Sequence, residues 1–142
     1  MKRKEFVNRL GAAALISSLG VSLESCTYEQ EAGQDPDVPT PALASFSITS
    51  GVFTALATDD GWLLHPSENI LLVNIGGVIS AYSSSCPHSG CTREWGYSNS
   101  TFTCNCHFSR FQADGSLISG PASRGLTKLT VEQDGDTVSI FS

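Results

Sequence analysis

Residues 70–82 read Ile70-Leu71-Leu72-Val73-Asn74-Ile75-Gly76-Gly77-Val78-Ile79-Ser80-Ala81-Tyr82. Two apolar, largely β-branched runs flank a pair of glycines. The favoured two-residue hairpin turns need positive φ at their centre, which glycine adopts without steric cost. The stretch therefore predicts a β-hairpin. Outward from it, Ser45-Phe46-Ser47-Ile48 alternates polar and apolar. Thr101–Thr103, Ser109–Gln112 and Ser116–Ser119 read as shorter strands, with a turn at Asp114-Gly115. Leu126–Val131 and Thr137–Phe141 form a closing hairpin about Asp134-Gly135. There is no helical period of useful length and no repeat. The expectation is one small all-β domain of antiparallel strands over residues 45–142.

The chain before that domain has a different character. Residues 1–25 carry Lys2, Arg3, Lys4 and Arg9 against Glu5 and Glu24, a net +2 in a protein of net −6, so the remainder is −8. A surface that acidic excludes nucleic acid, which needs clustered Lys and Arg. It suits either solubility or a partner with a basic docking face. Leu10–Leu23 is an almost unbroken run of small and apolar residues. At ~1.5 Å per residue it reaches only about 21 Å, short of a roughly 30 Å hydrocarbon core. That is the shape of a signal peptide over residues 1–25. Leu23-Glu24-Ser25-Cys26 resembles a bacterial lipobox, which makes Cys26 the lipidated first residue of the mature protein. Arg3-Lys4-Glu5-Phe6-Val7 resembles a twin-arginine signal with its second Arg replaced, leaving twin-arginine and Sec routes both open. Residues 26–44, acidic and bearing Pro36, Pro39 and Pro41, read as a linker of up to about 50 Å. The expected location is a bacterial membrane, lipid-anchored and facing the periplasm.

With Cys26 assigned to the anchor, four cysteines fall into two clusters, each with one histidine. Residues 86–91 are Cys86-Pro87-His88-Ser89-Gly90-Cys91, and residues 104–109 are Cys104-Asn105-Cys106-His107-Phe108-Ser109. Three readings of these residues compete. Two plain disulfides suit an exported protein but leave the histidines unexplained. A structural zinc would take Cys86, His88, Cys104 and His107 and leave Cys91 and Cys106 over. An iron-sulfur cluster would use the same four ligands and the same leftover pair.

Cys-x-His-x-x-Cys followed by Cys-x-Cys-His-x-Ser resembles the paired boxes of Rieske 2Fe-2S proteins. Fifteen residues separate His88 from Cys104, the separation that family uses, and Gly120-Pro121-Ala122 stands where its third loop shields the cluster. The likeness covers roughly residues 70–141. It implies an antiparallel β-sandwich with a small cluster-binding subdomain of two loops. Cys86 and Cys104 would hold the inner iron, and His88 and His107 the outer one. Cys91 and Cys106 would form a disulfide closing a loop of about sixteen residues, worth roughly 3 kcal/mol in the chain-entropy model. An oxidising compartment permits that bond.

The ligand types imply the redox behaviour. Two ferric ions, two sulfides and two thiolates sum to a neutral core, whereas four thiolates would leave it dianionic. A neutral core accepts an electron more easily, which places the class at about −150 to +300 mV. Ser109 is retained and is expected to donate its hydroxyl to a bridging sulfide. The respiratory Tyr is Phe111 here, which removes one hydrogen bond to a cysteine sulfur and predicts a potential below the top of that range. Solvent-facing imidazoles imply a midpoint that is flat at low pH and falls at high pH. Ser89 replaces the respiratory Leu, and His107-Phe108-Ser109 is similar to the small subunit of arsenite oxidase.

The implied activity is one-electron transfer, either free-standing or as an oxidoreductase subunit, arsenite oxidase-like or quinol-oxidising like cytochrome bc. The implied redox partner is a cytochrome or an oxidase subunit. A zinc-stapled module is the non-redox alternative. His65 is expected at the surface or in a loop, Trp62 and Trp95 in packing roles, and Arg93 and Glu94 as solvated charges.

Overall fold

The computed structural model describes residues 39–142. The expected signal peptide, Cys26 and the linker up to residue 38 lie outside the described residues. Ten strands and one 3₁₀ helix follow in the order β1 (Ala44–Ser47), the helix (Gly51–Ala57), β2 (Trp62–Leu64), β3 (Ile70–Ile75), β4 (Val78–Ser83), β5 (Trp95–Ser98), β6 (Thr101–Cys104), β7 (Ser109–Gln112), β8 (Leu117–Ser119), β9 (Lys128–Asp134) and β10 (Thr137–Phe141). They make two antiparallel sheets, a base of order β1-β10-β9-β4-β3-β2 and a smaller one of order β5-β6-β7-β8.

The quoted hairpin is the centre of the base. Ile75 pairs with Val78 across Gly76 and Gly77, which have φ of 61° and 85°. Ile70, Leu71, Leu72 and Val73 are all buried, because β3 is covered on both faces. Leu71 and Val73 pack toward Trp95, Phe102 and Phe111 of the smaller sheet. Ile70 and Leu72 pack the other way, with Phe46, Leu56, Val138 and Ile140. That two-sided burial is why the run shows no alternation. Each such side chain contributes about 1.5–3 kcal/mol, so β3 joins the two cores energetically as well as spatially.

Three expectations shift. The last turn is at Gly135-Asp136, one residue later than expected, since Asp134 pairs with Thr137. The seven-residue 3₁₀ helix buries only Leu56, too little to leave a period in the sequence. Strands β2 and β5 were not anticipated. The signal for β5 was present in Trp95-Gly96-Tyr97-Ser98, an aromatic alternation ending at Asn99-Ser100. Both of those residues have positive φ, 49° and 53°, as a type I′ hairpin turn requires. The three short strands expected over residues 101–119 are β6, β7 and β8, and β5 completes their sheet, which carries the second ligand loop.

Candidate metal centre

Both Cys/His clusters fold as the same turn. In the first, the Gly90 N–H donates to the Cys86 carbonyl at 2.8 Å, with Gly90 at φ 76°. In the second, the Phe108 N–H donates to the Cys104 carbonyl at 2.8 Å, with Phe108 at φ 63°. Each turn begins on a buried cysteine and closes through a left-handed residue at its fifth position, the geometry that also caps helices. The first loop follows β4 and the second joins β6 to β7, so the two arise at neighbouring points of the two sheets.

The four cysteines separate cleanly. Cys91 and Cys106 are joined as a disulfide with Cα atoms 6.7 Å apart, which pins one loop to the other. Cys86 and Cys104 are free thiols, 3% and 1% exposed. The sulfurs of Cys91, Cys104 and Cys106 lie within 4.8 Å of one another. Two of those three are bonded together and cannot serve as thiolate ligands, so that grouping does not define the site. The His88 and His107 rings stand 4.6 Å apart between centroids at 79°, and both residues are exposed. Ser89 Oγ lies 3.2 Å from His107 Nδ1.

The donors fit a small cationic cluster. Burial pushes the Cys104 thiol up, and Cys86 beside it pushes the same way. The backbone N–H groups of Cys106 and His107 pull it down, because they donate toward its sulfur. A buried thiolate pair of this kind needs a metal cation to ionise. Sulfur-directed N–H groups are the outer-shell contacts that tune such centres. Ser84, two residues before Cys86, holds the buried side-chain oxygen that finds no hydrogen-bond partner among the described residues.

Ser109, 0% exposed, accepts a hydrogen bond on Oγ from the Ala122 N–H at 3.1 Å. Its lone pair thus ties down the third loop, and its own proton is free to donate. Gly120, φ 104°, lies so close to the Ser109 backbone that a β-carbon there would fall 2.5 Å from Ser109 Cα. Pro121 follows it, exposed. Phe111 is fully buried beside Cys86 and Cys104 and packs on Trp95 at 5.8 Å.

Residues outside both boxes also matter. Arg93 donates from Nη1 to the His65 and Glu68 carbonyls at 3.0 and 3.2 Å, and from Nη2 to the Pro66 carbonyl at 2.8 Å. It therefore clamps the disulfide-closed segment to the β2–β3 loop, where a solvated charge was expected. His65 does lie in a loop, but it is buried, 8% exposed, against the stacked pair Phe46 and Phe53. Its Nδ1 accepts the Ser67 and Glu68 N–H groups at 3.4 and 3.1 Å. Trp95 Nε1 donates to the Ser84 carbonyl at 2.8 Å. The Tyr97 hydroxyl donates to Asp60, which Ser100 Oγ also reaches at 3.0 Å. Burial, with Asp60 adding, pushes Tyr97 up to about 12. Arg93, Trp95 and Tyr97 alternate along one segment, so one face of β5 and its approach straps the platform to the base.

An all-β domain that presents two buried thiols and two imidazoles on disulfide-pinned loops defines a mounting for a small iron-sulfur cluster. Residues 54–130, more than half of the chain, match the Rieske [2Fe-2S] domain. The chain belongs to that family, whose cofactor is a 2Fe-2S cluster. It is 28% identical over 151 residues to the cytochrome b6-f complex iron-sulfur subunit of Synechococcus sp. (strain JA-3-3Ab), covering 97% of this chain and 86% of that one. It is 32% identical over 73 residues to the subunit of the same name from Chlorobaculum thiosulfatiphilum, covering 51% of this chain but only 40% of the relative's length. Among solved structures, a quaternary ammonium Rieske monooxygenase aligns at a TM-score of 0.52 and 24% identity, over 62% of this chain and 28% of that chain. That last likeness speaks to the fold.

Proposed function

We propose that this protein is a one-electron carrier of a membrane cytochrome complex, with Cys86 and Cys104 binding the inner iron of its cluster and His88 and His107 the outer. The observation that carries the reading is a pair of buried free thiols and a pair of exposed, adjacent imidazoles on two loops that one disulfide joins. When bound, the cluster accepts and releases single electrons. The chain's own residues do the rest. The Cys91–Cys106 bridge holds the two ligand loops in one geometry. Ser109 fixes the third loop with its lone pair, which leaves its hydroxyl proton available as a donor to the cluster. Phe111 and Trp95 exclude water behind the thiols. His88 and His107 are the part of the site that a partner meets.

The relatives support a cytochrome complex as that partner, since both are named as cytochrome b6-f subunits. The family match speaks against a zinc-only staple. Among the described residues no helix is long and apolar enough to cross a membrane. We assign membrane attachment to a lipid on Cys26, a reading supported by the lipobox-like Leu23–Cys26 and the proline-bearing sequence after it.

Purified full-length protein tests the main reading. It should contain two irons and two sulfides per chain and, after dithionite reduction, give a low-temperature EPR signal. A colourless protein holding zinc would overturn it. Cys26→Ser should move the protein from the membrane to the soluble fraction; continued membrane retention would refute the anchor.

A further inference from the structure

Phe108 combines two features that are each unfavourable alone. It is 69% exposed, the highest among the exposed large apolar side chains of the described residues. It also sits at φ 63°, where a β-carbon clashes with the backbone. The equivalent fifth position of the other turn is Gly90, the residue that this conformation favours. Glycine would satisfy the second turn equally well. Backbone strain held at a functional site, with an unburied aromatic on top of it, points to a use outside the fold.

The charges around it say what kind of surface it meets. Residues 84–127 carry Arg93, Arg110 and Arg124 against Glu94 and Asp114, a net +1. The other described residues carry Lys128 against Asp59, Asp60, Glu68, Glu132, Asp134 and Asp136, a net −5. The acidity of the sequence therefore belongs to the base. Arg93 is occupied by three carbonyls of the base, which leaves Arg110 and Arg124, both exposed. Arg110 follows Phe108 by two residues. Arg124 lies in the segment that Ala122 ties to Ser109.

We propose that Phe108 is the anchor by which the histidine end docks, inserting into an apolar patch of a partner protein whose rim is acidic, with Arg110 and Arg124 as the steering cations. This rests on the electron-carrier reading and names the chemistry of its partner. It replaces the basic docking face that bulk acidity suggested. Aromatic anchors within charged rims dominate binding energy in such contacts, and the rim sets the encounter rate.

The probe is oxidised plastocyanin, a copper protein whose apolar face adjoins an acidic patch. The full-length, cluster-loaded protein is reduced with dithionite, freed of excess reductant, and mixed with it in a stopped-flow instrument. One electron passes to each Cu(II), giving Cu(I). Phe108→Gly fits the backbone and removes the anchor; Phe108→Asn tolerates the same φ but is polar. Each should slow transfer about tenfold, a loss typical of an anchor residue. Their EPR spectra and their oxidation by ferricyanide should stay within about twofold of wild type. Arg110→Glu and Arg124→Glu should slow the plastocyanin reaction, and salt should slow the wild type toward them. Unchanged transfer in both Phe108 variants would overturn the inference, as would faster reaction with lysine-rimmed cytochrome c. Phe108-dependent sedimentation with neutral phosphatidylcholine vesicles would overturn it in favour of a lipid surface. A wild-type protein without iron would instead sink the electron-carrier reading itself.

Discussion

Gly120→Ala probes how the third loop is seated on the site. The new β-carbon would lie 2.5 Å from Ser109 Cα, 2.9 Å from the Phe108 carbonyl oxygen and 3.0 Å from Ser109 N. All three are backbone atoms of the second ligand loop, so no side chain can swing away to relieve the clash. Overpacking of this kind costs about 1–3 kcal/mol. The φ of 104° adds about 1–2 kcal/mol for a residue with a β-carbon. If the loop lifts instead, the Ala122-to-Ser109 hydrogen bond is lost, at about 1 kcal/mol. The stiffer unfolded chain returns less than about 1 kcal/mol. The net expectation is a loss of about 1–5 kcal/mol, which for a domain of roughly 100 residues lowers Tm by about 5 °C or more. Far-UV circular dichroism melts of the cluster-loaded protein measure it. Because the strain falls on the Ser109 backbone, the EPR spectrum should change as well. A variant whose Tm is within about 3 °C of wild type, with an unchanged spectrum, would refute the idea that contact with Gly120 shapes the site.

Ser109→Ala orphans the buried Ala122 N–H, worth about 1–3 kcal/mol in a urea titration. It also removes the hydroxyl proton from the site. If that donor favours the reduced form by about 1–2 kcal/mol, the midpoint falls by about 40–90 mV at 59 mV per tenfold for one electron. A midpoint unmoved in film voltammetry would show that the proton points elsewhere. Arg93→Ala should cost about 1–2 kcal/mol because three carbonyls lose a shared charged donor. Arg93→Lys should restore only part of that, lacking the forked geometry, and equal stability of the two variants would contradict the clamp. Burial lowers the pKa of His65 below 6.5, with Arg93 acting in the same direction and Glu68 opposing. The unfolded chain then binds the proton more tightly, so stability is complete above 6.5 and is lost as pH falls through the lower folded value. Tm should fall between about pH 7 and about pH 5, and His65→Gln should flatten that slope; an unchanged slope in the variant would assign it to other groups.

Much of this protein is local in sequence and therefore legible there. The Gly76-Gly77 turn is specified by two adjacent residues, and the period of β1 and the closing hairpin by a few more. The family likeness is equally local, because the spacing inside each Cys/His box has to let one short loop carry both donors. The disulfide was implied by that likeness alone, and the coordinates then placed Cys91 against Cys106.

What tertiary structure decided is long-range. The loop position of His65 was legible, but its burial was not, because nothing near it in sequence reveals that Phe46 and Phe53 pack on it. Arg93 reaches carbonyls 25 to 28 residues away, and no periodicity encodes such a bond. Acidity summed along the chain cannot say that it gathers on the base and leaves residues 84–127 at a net +1. Phe108 reads in sequence as an ordinary aromatic inside a box. Only its backbone angle and its exposure set it apart, and both are properties of the folded turn.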